Sequence, residues 1–133
     1  MTQEEKQLLL KDLCARLPYG VKCVFHSNRG EVASTIVKID IDNETVSHRP
    51  DGQSLIYFHF IVSGEIKPYL RPISSMTEEE KEDFGVPFTS EGLVTLADTV
   101  ECIDWLNKHH FDYRGLIEKG LALEAPEGIY KTE

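Results

Sequence analysis

Apolar residues recur at helical spacing near the start of the chain. Leu10, Leu13 and Leu17 lie three or four positions apart, which places them on one face of an α-helix. Thr2 can cap this helix, and Glu5 follows three residues later, as in a capping box in which the two residues satisfy each other's free backbone N–H groups. The pattern therefore predicts an N-terminal helix that ends at a Pro-Tyr-Gly turn.

The following segments alternate apolar and polar residues with the period of a β-strand. VKCVFH (21–26) comes first, and EVASTIVKIDID (31–42) has the pattern of a half-buried antiparallel strand. TVSHR (45–49) and SLIYFHFIV (54–62) are separated by Pro-Asp-Gly, which predicts a hairpin. Because SLIYFHFIV is apolar on both faces, we expect it to be a central strand that helices cover on at least one side.

Prolines and acidic residues mark the next two elements. EIKPYLRP (65–72) is extended but contains two prolines, which cannot donate to a ladder, so we expect an edge strand or a loop laid over the core. Thr77 and Glu80 form a second capping box at the start of TEEEKEDF (77–84), which predicts a short helix. Gly85 is expected to end that helix.

Two more helices are predicted near the C-terminus. Thr95 can cap ADTVECIDWLNKHH (97–110), and Asp112 can cap a short helix in YRGLIEK (113–119). Strands that are grouped between helices indicate an α+β fold. We expect a three- to four-stranded antiparallel meander with an N-terminal helix and two to three C-terminal helices packed mainly on one face. No linker divides the chain, so residues 1–133 are predicted to form a single domain.

The segment DWLNKHHFDYRG (104–115) collects two histidines, two acids, an arginine and three aromatic residues. Successive helical residues differ in direction by about 100°, so His109 and His110 cannot readily hold one metal ion, for which helical motifs use a spacing of four. A histidine in the last turn complements the negative helix end, and Asp112 is explained as a cap. We therefore interpret the segment as a helix boundary, and we predict no catalytic residue, metal ion or cofactor.

Acidic charge is concentrated in the C-terminal part of the chain. The net charge is −9, and residues 77–133 carry five Lys/Arg and fourteen Asp/Glu, while the preceding residues balance. An acidic surface repels phosphate backbones, so direct nucleic-acid binding is disfavoured. We interpret this charge as a solubilising surface, and a specific basic partner is the alternative.

The sequence features that bear on cellular location predict a cytoplasmic protein. No apolar run approaches the roughly 20 residues that cross a bilayer, and the N-terminus lacks the basic start and the cleavage site of a signal peptide. Cys14, Cys23 and Cys102 form no CxxC pair, which indicates reduced and mostly buried thiols. We expect no membrane partner.

Candidate binding residues lie in KPYLRPISSMT (67–77). Lys67 and Arg71 are four residues apart with Tyr69 between them, in a chain that two prolines stiffen. The segment is either a rigid covering loop or a contact edge for a ligand or partner. Trp105 lies off the apolar stripe of its predicted helix and would be a second contact if it is exposed.

Two segments of the second half of the chain, IKPYLRPISSMTEEEKEDF (66–84) and TVECIDWLNKHHFDYRGLIEKGLALEAPEGIY (99–130), resemble a group of small, uncharacterised bacterial proteins. The group is common in anaerobic gut bacteria and is often carried with phage-like or other mobile elements. The resemblance implies a short accessory protein that is made and used inside the bacterial cell. The group has no assigned reaction, so the resemblance transfers no functional residue.

These observations favour a non-enzymatic domain that binds another macromolecule, in the first place another protein. An enzymatic alternative would build a pocket from Tyr57, His59, His110 and an acid, and it requires at least two of these side chains to converge. VKCVFH could also pair with a second copy of the chain if it forms an edge strand. A further alternative is mimicry of nucleic acid by one continuous acidic stripe of Glu78, Glu79, Glu82, Asp83, Asp98, Glu101 and Asp104.

Overall fold

The computed structural model describes residues 1–27, 30–64, 66–84 and 96–130, except for the side chains of residues 26–27 and 96–99. Within them the chain has a mixed α+β fold, as predicted. The helices are α1 (Gln3–Arg16), α2 (Glu78–Phe84) and α3 (Leu96–Lys108). The strands are β1 (Lys22–Ser27), β2 (Gly30–Asp40), β3 (Thr45–Pro50), β4 (Tyr57–Phe60), β5 (Ile66–Pro72), β6 (Phe111–Asp112) and β7 (Leu123–Glu124).

The described strands form a seven-stranded sheet in the order β4-β3-β2-β1-β5-β6, and β7 also pairs with β5. The first four strands are antiparallel neighbours in chain order, and β5 returns antiparallel to β1. The two-residue strands β6 and β7 run parallel to β5. The sheet is larger than the predicted three to four strands because β5 and two short segments after α3 extend it.

The positions of β4 and β5 in the sheet are the reverse of the expected ones. SLIYFHFIV, expected at the centre, supplies the edge strand β4, and all of its large apolar side chains except the buried Ile61 are exposed. EIKPYLRP, expected at an edge or in a loop, supplies β5, which lies between β1 and the C-terminal strands. Pro68 stands at the end of the ladder with β1, and Pro72 ends the strand, where a missing N–H interrupts the fewest ladder bonds.

The strand β1, which corresponds to VKCVFH, is paired on both sides. It lies between β2 and β5, so the expectation that it could offer an edge to a second copy is wrong. The cause is the long-range return of β5, which local patterns do not encode.

Helix α1 begins as its capping box predicts. The Thr2 hydroxyl accepts a hydrogen bond of 3.0 Å from the Glu5 N–H, and the Glu5 carboxylate accepts one of 2.8 Å from the Thr2 N–H. The buried leucines of the helix pack on the sheet in the main core, since burial of apolar surface is the dominant favourable term in folding. That core contains Leu9, Leu10, Leu13, Val21, Cys23, Ile36, Val46, Ile61, Ile66, Leu70, Leu116, Leu121 and Ala122.

The short helix predicted for residues 113–119 is absent, and turns occupy these positions. The Asp112 carboxylate accepts hydrogen bonds of 3.0 Å from the N–H groups of Leu116 and Ile117, four and five residues later, whereas a helix cap would bond the N–H groups two or three residues later. The second capping box is present, because Thr77 and Glu80 exchange the two expected hydrogen bonds. The positions predicted for Gly85 and Thr95 lie outside the described residues.

A buried ionic network joins α1 to the segment after α3. Arg16 is fully buried and binds Asp12 through two hydrogen bonds of 2.8 and 3.2 Å. It also donates to the carbonyl of Phe111 at 2.6 Å. Arg114 approaches the same Asp12 carboxylate at 3.2 Å, and the guanidinium groups of Arg16 and Arg114 lie 5.3 and 5.0 Å from the centroid of the Tyr113 ring. These contacts fix the turn that replaces the expected helix.

The Tyr130 hydroxyl bridges β1 and β5 at the point where the two strands separate. It accepts a hydrogen bond of 2.8 Å from the Lys22 N–H and donates one of 2.6 Å to the Tyr69 carbonyl. Lys22 comes just before Cys23, and Tyr69 comes just after Pro68, which together form the last pair of the β1–β5 ladder. The phenol therefore supplies the hydrogen bonds that a neighbouring strand would otherwise provide.

None of the described helices is long and apolar enough to span a membrane. The three cysteines are free thiols, of which Cys23 is buried and the other two are partly buried. Burial raises the pKa of the Cys23 thiol to about 12, so this group is protonated and unreactive at neutral pH.

Candidate functional site

The end of α3 shapes one wall of the candidate site. His109 and His110 follow the last helical residue, and their N–H groups bond back to the carbonyls of Trp105 and Asn107. His110 has φ of +63°, a left-handed conformation that reverses the chain direction. Its carbonyl accepts a hydrogen bond of 2.8 Å from the Arg71 N–H. The histidine pair therefore joins the helix to β5, in line with its interpretation as a boundary.

The two imidazoles point to different surroundings. His110 is buried and stacks on the Tyr130 ring with 3.8 Å between centroids. Burial, helped by the nearby Arg16 charge, lowers the pKa of His110 to about 3, so the ring is neutral. His109 stacks against Trp105 at 4.1 Å and faces the cleft. Burial also lowers the pKa of His109, although the neighbouring Glu80 and Asp83 charges oppose this effect.

Arg71 is held at the end of β5 by an ion pair and an aromatic ring. Its guanidinium donates two hydrogen bonds of 2.7 Å to the Glu80 carboxylate and lies 4.2 Å from the centroid of the Phe111 ring. The hydrogen bonds from Arg71, together with those from Thr77, lower the pKa of Glu80 to about 2. The cationic residue predicted for a contact edge is thus neutralised within the fold, with its side chain 17% exposed.

Trp105 is half-buried and connects the two acidic helices. Its indole N–H donates a hydrogen bond of 3.0 Å to Asp83 of α2. Its rings pack on Phe84, His109 and Phe111. The predicted second contact therefore lies beside the cleft, and only part of its surface can meet a partner.

A cleft of about 800 Å³ opens between α2, the end of β5 and residues 124–130. Arg71 and His109 line it, together with a set of carboxylates from two distant parts of the chain. Because Arg71 already pairs with Glu80, the remaining acidic groups leave the cleft with a negative charge. The lining carboxylates are Glu79, Glu80, Asp83, Glu124 and Glu127.

Lys67 and Tyr69 do not line this cleft. Both are half-buried on β5, and they alternate with the buried Pro68 and Leu70. Strand alternation places them on the same face of the sheet as Arg71. The four residues predicted for binding are therefore divided: Arg71 lines the cleft, Trp105 adjoins it through Asp83, and the other two lie farther along the strand.

A histidine pair in the β3–β4 hairpin was not foreseen in the sequence. His48 Nε2 lies 3.1 Å from His59 Nδ1, and both rings pack on Phe25. His48 is fully buried, and this burial, with a smaller effect of His59, lowers its pKa to about 4. The hairpin pattern could have revealed the pair, since diagonal residues on one face of an antiparallel pair are within reach.

The residues of the enzymatic alternative occupy two separate clusters. Tyr57 and His59 lie with Phe25 and His48 in the hairpin, whereas His110 stacks on Tyr130 next to the end of β5. Among the described residues, no group of three or more His, Cys, Asp and Glu side chains is arranged to hold a metal ion.

Comparisons of the chain with protein-family models, with curated proteins and with solved structures found no match.

Proposed function

We propose that this chain is a non-enzymatic protein-interaction domain that binds a basic segment of a partner protein in the acidic cleft. The observation that carries the proposal is the convergence of Glu79 and Asp83 with Glu124 and Glu127 around one opening. The negative electrostatic potential of these carboxylates would attract lysine or arginine side chains of a partner. Charge complementarity of this kind increases both the association rate and the specificity of binding.

Side-chain hydrogen bonds link the elements that form the walls of the cleft. The double hydrogen bond between Arg71 and Glu80 ties α2 to β5, and the Trp105–Asp83 bond ties α2 to α3. A preorganised site loses less conformational entropy when it binds a partner. These bonds support a role for the cleft as a receptor surface.

Two further proposals extend this function. Lys67 and Tyr69, which share a strand face with Arg71, would contact the partner beyond the cleft. The resemblance of the second half of the chain to mobile-element proteins of gut bacteria supports an accessory role in the bacterial cytoplasm.

A binding experiment with a short fluorescein-labelled peptide of alternating Lys and Ser tests the proposal. Fluorescence anisotropy gives the dissociation constant, and Trp105, as the one tryptophan in the sequence, reports binding through its intrinsic fluorescence. We expect Glu124→Gln combined with Glu127→Gln to weaken binding by about 2- to 30-fold, since each exposed ion pair contributes ~0.2–1 kcal/mol.

The matched control is Glu4→Gln combined with Glu118→Gln, which removes two charges from exposed positions that do not line the cleft. An equal loss of affinity in both double variants would mean that the peptide responds to net charge alone, and the proposal would be wrong. Weaker binding at higher salt is expected in either case.

Nucleic-acid mimicry is a second candidate because the Trp105–Asp83 bond joins the two acidic helices. Glu78, Glu79 and Glu82 on α2 and Glu101 and Asp104 on α3 are exposed, whereas the side chain of Asp98 lies outside the described residues. The double variant Glu101→Gln/Asp104→Asn separates the two candidates. If the partner binds along the acidic surface of α2 and α3, this variant should weaken peptide binding as much as Glu124→Gln/Glu127→Gln does. If the partner binds in the cleft, the variant should have little effect.

A further inference from the structure

The edge strand β4 belongs to the least charged part of the chain. Residues 53–64 contain no Asp, Glu, Lys or Arg, although 28% of all residues are charged. Six large apolar side chains of this segment are between 39% and 64% exposed. Natural edge strands usually carry charges or prolines that prevent pairing with another chain, so an apolar edge of this kind requires an explanation. The six are Leu55, Ile56, Tyr57, Phe58, Phe60 and Val62.

The backbone of β4 offers one residue for pairing. The Ile61 N–H bonds to the Glu44 carbonyl beside β3, and successive strand residues turn their backbone groups to opposite sides. The N–H and C=O groups of Phe58 and Phe60 therefore point away from β3. The Phe60 carbonyl already accepts a hydrogen bond of 2.8 Å from the Ser63 hydroxyl. Phe58 thus presents both a donor and an acceptor at the edge of β4 that no described strand covers.

We propose that a second copy of this chain binds at β4, in an antiparallel pair with its two-fold axis at Phe58. Each Phe58 would donate to and accept from its counterpart, which is the hydrogen-bonded pair of an antiparallel ladder. An isologous contact of this kind requires a self-complementary strand. A pair centred on Phe60 is less favourable, because Ser63 already donates to the Phe60 carbonyl and the strand ends there in a short 3-10 helix (Ile61–Ser63).

The side chains support this register. Phe58 and Phe60 lie on one face of β4, because they pair with Ser47 and Thr45 of the same face of β3. With the axis at Phe58, the two Phe58 rings become direct cross-strand neighbours, and each Phe60 lies opposite Ile56 of the other copy. Aromatic and aliphatic cross-strand pairs of this type stabilise antiparallel sheets.

Area and charge both favour a second copy as the occupant. Aromatic side chains bury about 150–250 Å² each, so the three half-exposed rings offer on the order of 300 Å², and the three exposed aliphatic side chains add to this area, toward the ~800 Å² per partner of a standard interface. Two chains that each carry −9 repel one another, and an uncharged strand is the surface where this repulsion costs least. A basic partner would be drawn to the acidic cleft instead. The inference does not depend on the proposed function.

Sedimentation equilibrium of the full chain over a concentration series tests the dimer. We expect a dimer at high concentration, and we expect Phe58→Lys to raise its dissociation constant at least ~10-fold, as for a central residue of an interface. The control is Val100→Lys, which adds the same charge at another exposed apolar position, on α3. A monomer throughout the series, or an equal effect of the two substitutions, would overturn the proposal.

Disulfide trapping tests the register and does not depend on the lysine variant folding. Cys14 and Cys102 are first replaced by alanine, which leaves only the buried Cys23. Phe58→Cys should then form a covalent dimer under mild oxidation, since Cα atoms of a hydrogen-bonded pair are about 5.5 Å apart, within disulfide range. Phe60→Cys should not, because the two copies of this residue would be separated by four residue steps. Equal cross-linking of the two variants, or cross-linking of Phe60→Cys alone, contradicts the two-fold axis at Phe58.

Discussion

Arg71 holds Glu80 through two parallel hydrogen bonds of 2.7 Å, with both side chains less than one fifth exposed. Bidentate arginine–carboxylate pairs are stronger than neutral hydrogen bonds. We predict that Glu80→Gln lowers the free energy of unfolding at pH 7 by ~1–3 kcal/mol. Urea denaturation measures the change. Glu79→Gln, on the same helix but exposed, is the matched control and should change stability little.

The same pair gives a pH dependence with a defined sign. The pKa of Glu80 is lowered to about 2 in the folded chain, from an ordinary value of 4.5, chiefly by the Arg71 hydrogen bonds. A carboxyl with a depressed folded pKa contributes stability above its unfolded pKa and loses it as the pH falls. The stability difference between the original chain and Glu80→Gln should therefore shrink between pH 4.5 and pH 2. A difference that stays constant over this window would contradict the ion-pair explanation.

Asp12 is the one carboxylate between Arg16 and Arg114 in the buried network of the described residues. Removal of one partner leaves a buried charge without compensation, which typically costs ~3–5 kcal/mol. We predict a loss of this size for Asp12→Asn, measured by urea or thermal unfolding. Asp104→Asn, at an exposed position, should stay within about 0.5 kcal/mol of the original chain.

The buried histidines predict a loss of stability in mild acid. The folded pKa of His48 is about 4 and that of His110 about 3, both below the ordinary 6.5 because burial disfavours the charged form. As the pH falls, the unfolded chain therefore binds protons at these histidines that the folded chain does not bind. The free energy of unfolding keeps its full value above pH 6.5 and decreases below pH 6.5. At pH 5 each histidine should cost about 1–2 kcal/mol.

The variant His110→Asn checks this assignment, because asparagine tolerates the left-handed backbone of this position. It loses the ring stack on Tyr130, so it should be less stable at pH 8. Its decline in stability between pH 6.5 and pH 4 should nevertheless be shallower than that of the original chain. An unchanged slope would show that other groups dominate the acid sensitivity.

Tyr130→Phe should destabilise the chain through two backbone groups that it leaves unsatisfied. The hydroxyl bonds to the Lys22 N–H and the Tyr69 carbonyl, and buried polar groups without partners cost ~1–3 kcal/mol. Hydrogen exchange at Lys22 should accelerate together with the loss of global stability. Tyr19→Phe removes a hydroxyl from a side chain that is 37% exposed and serves as the control.

Local features of this fold could be predicted because they depend on neighbours in sequence. Both capping boxes, at Thr2–Glu5 and Thr77–Glu80, were identified from a spacing of three residues and are present. The places of β4 and β5 in the sheet could not be predicted, because the pairing of Cys23 with Pro68 spans much of the chain. An apolar run with two hydrophobic faces is ambiguous between a central strand and an exposed edge.

The candidate site, too, could be predicted only in part from the sequence. Arg71 and Trp105 were singled out from sequence, and both lie at or beside the cleft. The clustering of Asp83 with Glu124 and Glu127 was not foreseen, since it arises only when the C-terminal segment lies next to α2. Charge counts located the acidic excess in the second half of the chain without showing where the carboxylates converge.

The Tyr130 bridge has a consequence for the order of events during synthesis on the ribosome. It joins residues that are 108 positions apart, and contacts of such long range form slowly because a large loop must close first. The helix α1 and the β1–β4 strands can assemble from neighbouring segments as they emerge. The Lys22 N–H and the Tyr69 carbonyl can gain the phenol as their partner only after translation has passed residue 130, so this end of the β1–β5 ladder should stay incomplete and exposed in the nascent chain until then.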